Sequence, residues 1–367
     1  MRMFIGTLLI CATIINYGQT YKGRTITTLE KSLAESSGLL FVEGRLITFN
    51  DSGGEPELYE IDTLDGSIKR TVSIKNATNK DWEAITNDDQ HIYIGDIGNN
   101  SGTRKDLTIY KIRTKDFLSE KSVKSEVITY SYKSQTSFKS EPHHTLYDAE
   151  AMVFMNDSLV LFNKNWRSDT CLVYKLPIFP GDYELTSHES LVLPGKVTDA
   201  FFVPNKNQLF MVGYGEDPFI GSIITTHQSL DHNVISIANL SVESSFQIEG
   251  LCSDGKTVFC SSERMKLGSV DFKGELTELP FAYSLSRVQG QSKNLSVRVQ
   301  GNAYIFQSAK KKIKLIELFD PNHMSVLTSK GCSKNYVLEA SKLTKGSYAV
   351  QIRLSNGDLE RLKILVD

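Results

Sequence analysis

Apolar and polar positions alternate along this chain in short bursts that suit β-strands, with almost no sustained helical periodicity. The bursts come in groups. Runs at 46–49, 58–61 and 68–74 form one group; 91–94, 107–112 and 127–132 form a second; 158–162, 172–176 and 190–193 form a third. Runs at 208–212 and 257–260 begin two more, the latter continued at 267–272. Gly, Asn and Asp fill the gaps, as tight turns between strands require. Only a short piece around 114–122 carries a helical pattern.

Each group opens on a related segment: Glu35-Ser36-Ser37-Gly38-Leu39, Asp81-Trp82-Glu83-Ala84-Ile85, Asp148-Ala149-Glu150-Ala151-Met152, Val197-Thr198-Asp199-Ala200-Phe201 and Gln247-Ile248-Glu249-Gly250-Leu251. The small residues Gly38, Ala84, Ala151, Ala200 and Gly250 stand 46, 67, 49 and 50 positions apart. Four short strands per repeat of about fifty residues predict propeller blades. A small residue in each first strand fits the crowded axis of such a ring. Five blades are expected; a sixth would need 23–29 to join an extra sheet, and that segment is expected instead to close the ring on the last blade. The long interval holds an insertion, 133–147, with His143 and His144. Trp82 and Trp166 are expected to fill blade interfaces.

Beyond 294 the spacing tightens. Seven strand-like runs (295–299, 303–307, 312–319, 325–328, 336–339, 348–354 and 360–366), with an Asn356-Gly357 turn, predict a small β-sandwich. The fold class is thus all-β: a β-propeller over 20–290 followed by a sandwich over 294–367.

Composition adds an address. Forty per cent hydrophobic and 23% charged residues describe a globular chain that folds around its own core. One Arg, then the apolar run 4–15 and a polar boundary, make 1–19 a secretory signal peptide, and no second apolar stretch is long enough to span a membrane. A secreted monomer is the expectation. Of the cysteines after that leader, Cys252 and Cys260 flank the Asp254-Gly255 turn; counting outward opposes Cys252 to Thr257 and Cys260 to Glu249, so free thiols rather than a bridge are expected. A net charge of −2 gives no support for nucleic-acid binding.

Two resemblances follow. Ala340-Ser341-Lys342-Leu343-Thr344-Lys345-Gly346-Ser347-Tyr348-Ala349-Val350-Gln351-Ile352, then Asn356-Gly357 and Lys363-Ile364-Leu365-Val366, resembles the C-terminal sorting domain of type IX secretion in Bacteroidetes. The family's usual Pro-Asn-Pro is absent at Val299-Gln300-Gly301-Asn302. The resemblance implies the type IX secretion machinery as partner and the cell surface or medium as destination. Asp81-Trp82-Glu83-Ala84-Ile85 followed by Gly95-Asp96-Ile97-Gly98-Asn99-Asn100 is similar to a pattern in secreted bacterial propellers of unassigned activity.

Candidate chemistry lies at the strand ends. First-strand starts and second-strand ends of antiparallel blades share one face, which should bring Glu35, Asp51, Asp81, Glu83, Asp96, Asp148, Glu150, Asp199, Glu216, Glu249 and Glu263 to one channel mouth, with Lys164 and Arg264 as counter-charges. So many acids would repel one another unless a cation or hydrogen bonds relieve them. One reading is a Ca²⁺ site, with Glu83, Asp96, Glu150 and Glu249 as ligands. The other is that each acid accepts backbone N–H bonds and ties neighbouring blades together. A surface-exposed or extracellular binding module with an unknown ligand is the first functional reading; a metal-dependent hydrolase of phosphoesters or lactones is the alternative. No Gly-x-Ser-x-Gly or His-Glu-x-x-His motif occurs.

Overall fold

The structure, a computed structural model, describes residues 20–366 except 216–217, 226–229, 242–246, 268, 280–287, 290–294, 301–302, 309–310, 321–323, 332 and 345. The leader, Glu216, Lys310 and Cys332 lie outside the described residues. The chain divides into a larger unit, Tyr17–Leu230 with Ile237–Leu285, and a smaller one built mainly from Ser286–Asp367. Strands dominate both, and the one α-helix among the described residues is Thr114–Ser119. Among the described residues no helix is long and apolar enough to cross a membrane.

The larger unit holds five antiparallel sheets of the same plan. Sheet I is Ser36–Val42, Arg45–Asn50, Glu57–Ile61 and Ile68–Ile74; sheet II is Trp82–Asn87, His91–Asp96, Leu107–Arg113 and Glu126–Tyr132. Sheet III is Ala149–Met155, Ser158–Asn163, Thr170–Pro177 and Glu189–Val192; sheet IV is Lys196–Val203, Gln208–Tyr214, Pro218–Thr225 and Leu230–Ser241. Sheet V takes Ile248–Ser253, Val258–Ser262 and Glu275–Leu279 from late in the chain, and its outer strand Arg24–Thr28 from the start. The run at 267–272 is therefore not the third strand of this sheet: Met265–Leu267 and Val270–Phe272 make a side hairpin of their own.

First strands touch in a closed cycle, sheet I to II, II to III, III to IV, IV to V and V back to I. Their glycines show how close the approach is. A Cβ on Gly250 would stand 2.9 Å from Leu39 Cγ and 3.2 Å from the Gly38 carbonyl carbon, across the V–I junction. Farther out, buried apolar clusters fill the seams between sheets. Trp82, Phe49 and Tyr110 meet edge-on or tilted in the I–II cluster, and the Trp82 indole N–H donates to Thr78 O. Leu39, Leu46, Phe259 and Leu276 fill the V–I cluster.

A second device links neighbours at their outer edges. The connection between the third and fourth strands of one sheet lies against the outer strand of the sheet before it. Ser122–Val123 pairs in parallel with Ile68–Ile74, and Gly181–Leu185 with Glu126–Tyr132. Thr20–Lys22, which precedes the outer strand of sheet V, pairs with the end of Leu230–Ser241. Leu230 N donates to Glu189 of sheet III, and Gly66 packs on Thr27. The outer edges of sheets I, II and IV are thereby paired instead of left open.

Cys252 stands opposite Phe259, and Cys260 opposite Leu251, two places from the register counted from the turn. The loop between the strands is four residues, 254–257, instead of two, with Ser253 opposite Val258. Both thiols are free and buried, as is Cys171.

The smaller unit contains seven strands at the expected places plus Val288–Gln289. Leu295–Gln300, Ala303–Ser308 and Asn335–Glu339 form one sheet; Ser325–Lys330, Ile313–Phe319, Gly346–Leu354, Leu359–Val366 and Val288–Gln289 form the other. Tyr304, Phe306 and Leu338 from the first share a core with Ile316, Leu318, Val350, Ile352 and Ile364 from the second, a two-layer sandwich.

Candidate cation site

The five first strands carry the same irregularity. Pairing with the second strand shifts by one residue between Ser36 and Leu39, Trp82 and Ala84, Ala149 and Ala151, Val197 and Asp199, and Ile248 and Gly250. The residues left out of the ladder are Ser37, Glu83, Glu150, Thr198 and Glu249. A β-bulge re-aims the side chain it frees, so the sheets present these five at equivalent places. The preceding positions are Glu35, Asp81, Asp148, Lys196 and Gln247. In four sheets the carbonyl there accepts the N–H that follows the second strand, from Asp51, Ile97, Lys164 and Glu263 respectively.

This register corrects the alignment of the fourth repeat. Thr198, not Asp199, occupies the bulge, and Asp199 stands where the other sheets have a small residue. Asp199 is wholly buried and accepts N–H bonds from Leu251 at 2.6 Å and Ala200 at 2.8 Å. It ties sheet IV to sheet V. Thr198 Oγ1 donates to Ile248 O across the same junction.

Asp148 ties sheets together too: it accepts Asn99 N and the Trp166 indole N–H, both at 2.6 Å. Asp96 is neutralised by Arg104 Nη2 at 2.7 Å and accepts Asp81 N. Arg104, a residue the sequence patterns did not single out, also donates to Gly98 O and fixes the loop after the second strand of sheet II. Arg264 turns outward to Asp271, with two N–H contacts of 2.8 and 2.6 Å, and is not a counter-charge of the mouth. Glu35 is exposed.

Six acids remain in electrostatic reach of one another: Asp51, Asp81, Glu83, Glu150, Glu249 and Glu263; Lys164 stands among them, and Arg104 acts on Asp81. Lys164 Nζ donates to Glu150 Oε2 at 2.9 Å and lies 5.3 Å and 5.2 Å from the Trp166 and Tyr214 ring centroids. Burial opposes its charge, but Glu150, Glu249, Tyr214 and Glu83 outweigh burial and hold the ammonium protonated. One lysine cannot balance six carboxylates. Burial, then Glu263, Asp81, Glu150 and Glu249, push the Asp51 carboxyl up to about 10. Burial chiefly, with neighbouring carboxylates, raises Glu83 and Glu249 well above the usual range and Glu263 to about 7. Asp81 is raised by burial, against the pull of Arg104.

Within this group Asp51, Asp81 and Glu83 each bring an oxygen within 4.8 Å of the others. The expected quartet of Glu83, Asp96, Glu150 and Glu249 is thus not the set gathered: Arg104 takes Asp96 and Lys164 takes Glu150. Two buried oxygens of the group, Asp51 Oδ1 and Glu249 Oε2, have no hydrogen-bond partner, and Glu249 is only 4% exposed. Ser37 Oγ donates to Glu83 Oε2 at 3.2 Å. Gly98 makes the room: a Cβ there would stand 2.5 Å from both Asp81 Oδ2 and Glu83 Oε1.

His143 and His144 stand apart from the trio. The insertion carrying them folds onto the loop after sheet III's second strand: the His143 ring meets Trp166 edge-on at 4.5 Å, Arg167 donates to His144 O, and Arg167 pairs with Glu141.

No protein-family model matches the chain, and no curated protein matches it. Among solved structures, PorZ of Porphyromonas gingivalis, an essential bacterial surface component of the type IX secretion system, aligns at 11% identity and TM-score 0.35, over 90% of this chain and 45% of PorZ. The extracellular domain of BT4673 from B. thetaiotaomicron aligns at 10% identity and TM-score 0.33, over 95% of this chain and 59% of that one. Kuenenia stuttgartiensis hydrazine synthase aligns at 10% and 0.33, over 92% and 98%. The chain spans about half the length of the first two. Similarities of this size decide neither sheet arrangement nor function.

Proposed function

We propose that this chain is an extracellular or cell-surface binding module, a five-bladed propeller whose acidic mouth holds Ca²⁺, exported by type IX secretion through its C-terminal sandwich. One observation carries the cation: six neighbouring carboxylates have only the ammonium of Lys164 and, at Asp81, the pull of Arg104 set against them, and a buried oxygen of Glu249 has no partner. The donor set fits a hard cation. Asp51, Asp81 and Glu83 offer oxygen only, and their 4.8 Å spread matches oxygens across an ion bound at about 2.3–2.6 Å. Bound Ca²⁺ would replace the protons that otherwise relieve the cluster and leave coordination positions for an anionic or hydroxylated ligand. The five-blade count is supported by the closed cycle of first strands and by the strand from the chain's beginning that completes sheet V.

Calorimetry of Ca²⁺ into EDTA-treated full-length protein tests the cation. Binding heat and a raised unfolding temperature are expected, both lost in Asp81→Asn and in Gly98→Ala, whose Cβ would push Asp81 and Glu83 aside. Absence of heat and of a thermal shift in the unsubstituted protein overturns the reading. Export rests on the residues shared with the sorting domain. In a bacterium that has type IX secretion, removing 294–367 is expected to strand the propeller in the periplasm, read by fractionation; unchanged appearance in the medium would refute that part.

A further inference from the structure

The C-terminal sandwich has one strongly cationic end. Ile313–Phe319 begins there, while Ser325–Lys330 and Gly346–Leu354 finish there, because both run antiparallel to it. The connecting segments are stitched together by backbone bonds: Ser355 N to Lys312 O, Ile313 N to Ser333 O, Gly331 N to Lys314 O and Ser308 N to Lys334 O. The result gathers Lys311, Lys312, Lys314, Lys330, Lys334 and Arg353, all exposed, on the ends of neighbouring strands and the loops between them.

Neighbouring strands lie about 5 Å apart and packed sheets about 10 Å, so these charges sit within roughly one or two Debye lengths of one another. Asp358 is the one acid in the turns at this end, and its carboxylate accepts from Asn356 Nδ2. Among the described residues none of the six cations forms an ion pair. Lys314 is left out of the ladder with Gly346–Leu354 by the register shift between Ile313 and Leu315. The whole chain carries −2, so the concentration of positive charge is local and not a reflection of composition.

We propose that this end of the sandwich is a docking surface for an acidic polysaccharide. A flexible polyanion with regularly spaced carboxylates or sulfates can neutralise several exposed lysines at once and releases its own counter-ions on doing so, which is the main source of affinity in such contacts. The end carries no helix to enter a groove and no aromatic side chain among its described residues to stack on a base, so its chemistry recognises charge spacing alone.

The test is retention of the full-length protein, in EDTA and at about neutral pH, on immobilised heparin, a sulfated polysaccharide, under a salt gradient. The wild type is expected to bind at about 50 mM salt, with a log–log salt slope that falls by on the order of one for each lysine removed. K311Q/K312Q/K334Q should elute in the wash with an unchanged melting temperature, since all three side chains are exposed. The control K75Q/K115Q/K256Q, also exposed, should elute with the wild type. Wild type in the flow-through, equal loss in both triple variants, or tighter retention on duplex DNA than on heparin at matched salt would each overturn the proposal. Because EDTA is present throughout, the outcome is independent of the cation site.

Discussion

Raising the pH from about 5 to about 9 in EDTA is expected to destabilise the protein, and the proposed Ca²⁺ binding is expected to reverse the trend. The sign follows from the acids of the cluster. Asp51 has a folded-state pKa of about 10, and Glu83, Glu249 and Glu263 are also raised. A carboxyl group whose folded pKa exceeds its unfolded value favours the folded state fully below the unfolded value, about 4. That contribution is lost as the pH climbs through the folded value. The window set by Glu263 and Asp51 therefore runs from roughly pH 5 upward, through about 7 and toward 10, with Asp81 and Glu150 facing the same space. A tenfold difference in proton affinity between folded and unfolded chain corresponds to about 1.4 kcal/mol. The coupled cluster relaxes as it charges, so a loss on the order of 3 kcal/mol between the two pH values is expected. Urea unfolding at several pH values reads it directly. Asp51→Asn should flatten the EDTA curve and raise stability at the alkaline end, because an amide keeps the shape and drops the charge. A flat wild-type curve in EDTA would mean that the acids are solvated and ionised without strain.

Lys164→Met is expected to cost about 3–5 kcal/mol, the usual penalty for removing one partner of a buried ion pair. Its ammonium donates to Glu150 Oε2 at 2.9 Å and is also in reach of Glu249 and Glu83. Methionine fills a similar volume, so the loss is electrostatic rather than a cavity. Pairing it with Glu150→Gln should recover much of the cost, since the orphaned carboxylate goes with its partner; a double-mutant cycle in denaturant measures the coupling. Additive losses from the two substitutions would show that Lys164 acts through its contacts with Trp166 and Tyr214 instead.

The sandwich is legible in the sequence because strands such as Ala303–Ser308 and Ile313–Phe319 alternate buried and more exposed positions, so period-two alternation marks them locally. The first, second and most third strands of the repeats are equally readable. The third strand of sheet V is not: 267–272 is apolar enough to be one, but the ladder with Val258–Ser262 belongs to Glu275–Leu279. Alternation identifies a strand and says nothing about its partner. The closing strand Arg24–Thr28 can be anticipated because a ring needs its first and last segments to meet.

For the candidate site, residue types and rough position are in the sequence, and assignment is not. Glu83 and Glu249 stand out through the repeat, whereas Asp199 falls one position out because a bulge shifts register without leaving a mark in composition. Asp96 and Arg264 read as mouth residues until Arg104 and Asp271, respectively 8 and 7 residues downstream, take them. Repetition of short patterns alone determined that this chain is built of similar small sheets with acids at their inner ends. Only the tertiary structure decided which acids share a space, which are spent on neighbouring backbones, and which are left facing one another. The reason is physical: a strand's pattern is set by its own neighbours in sequence, but the fate of a carboxylate depends on charges and donors brought to it from other sheets.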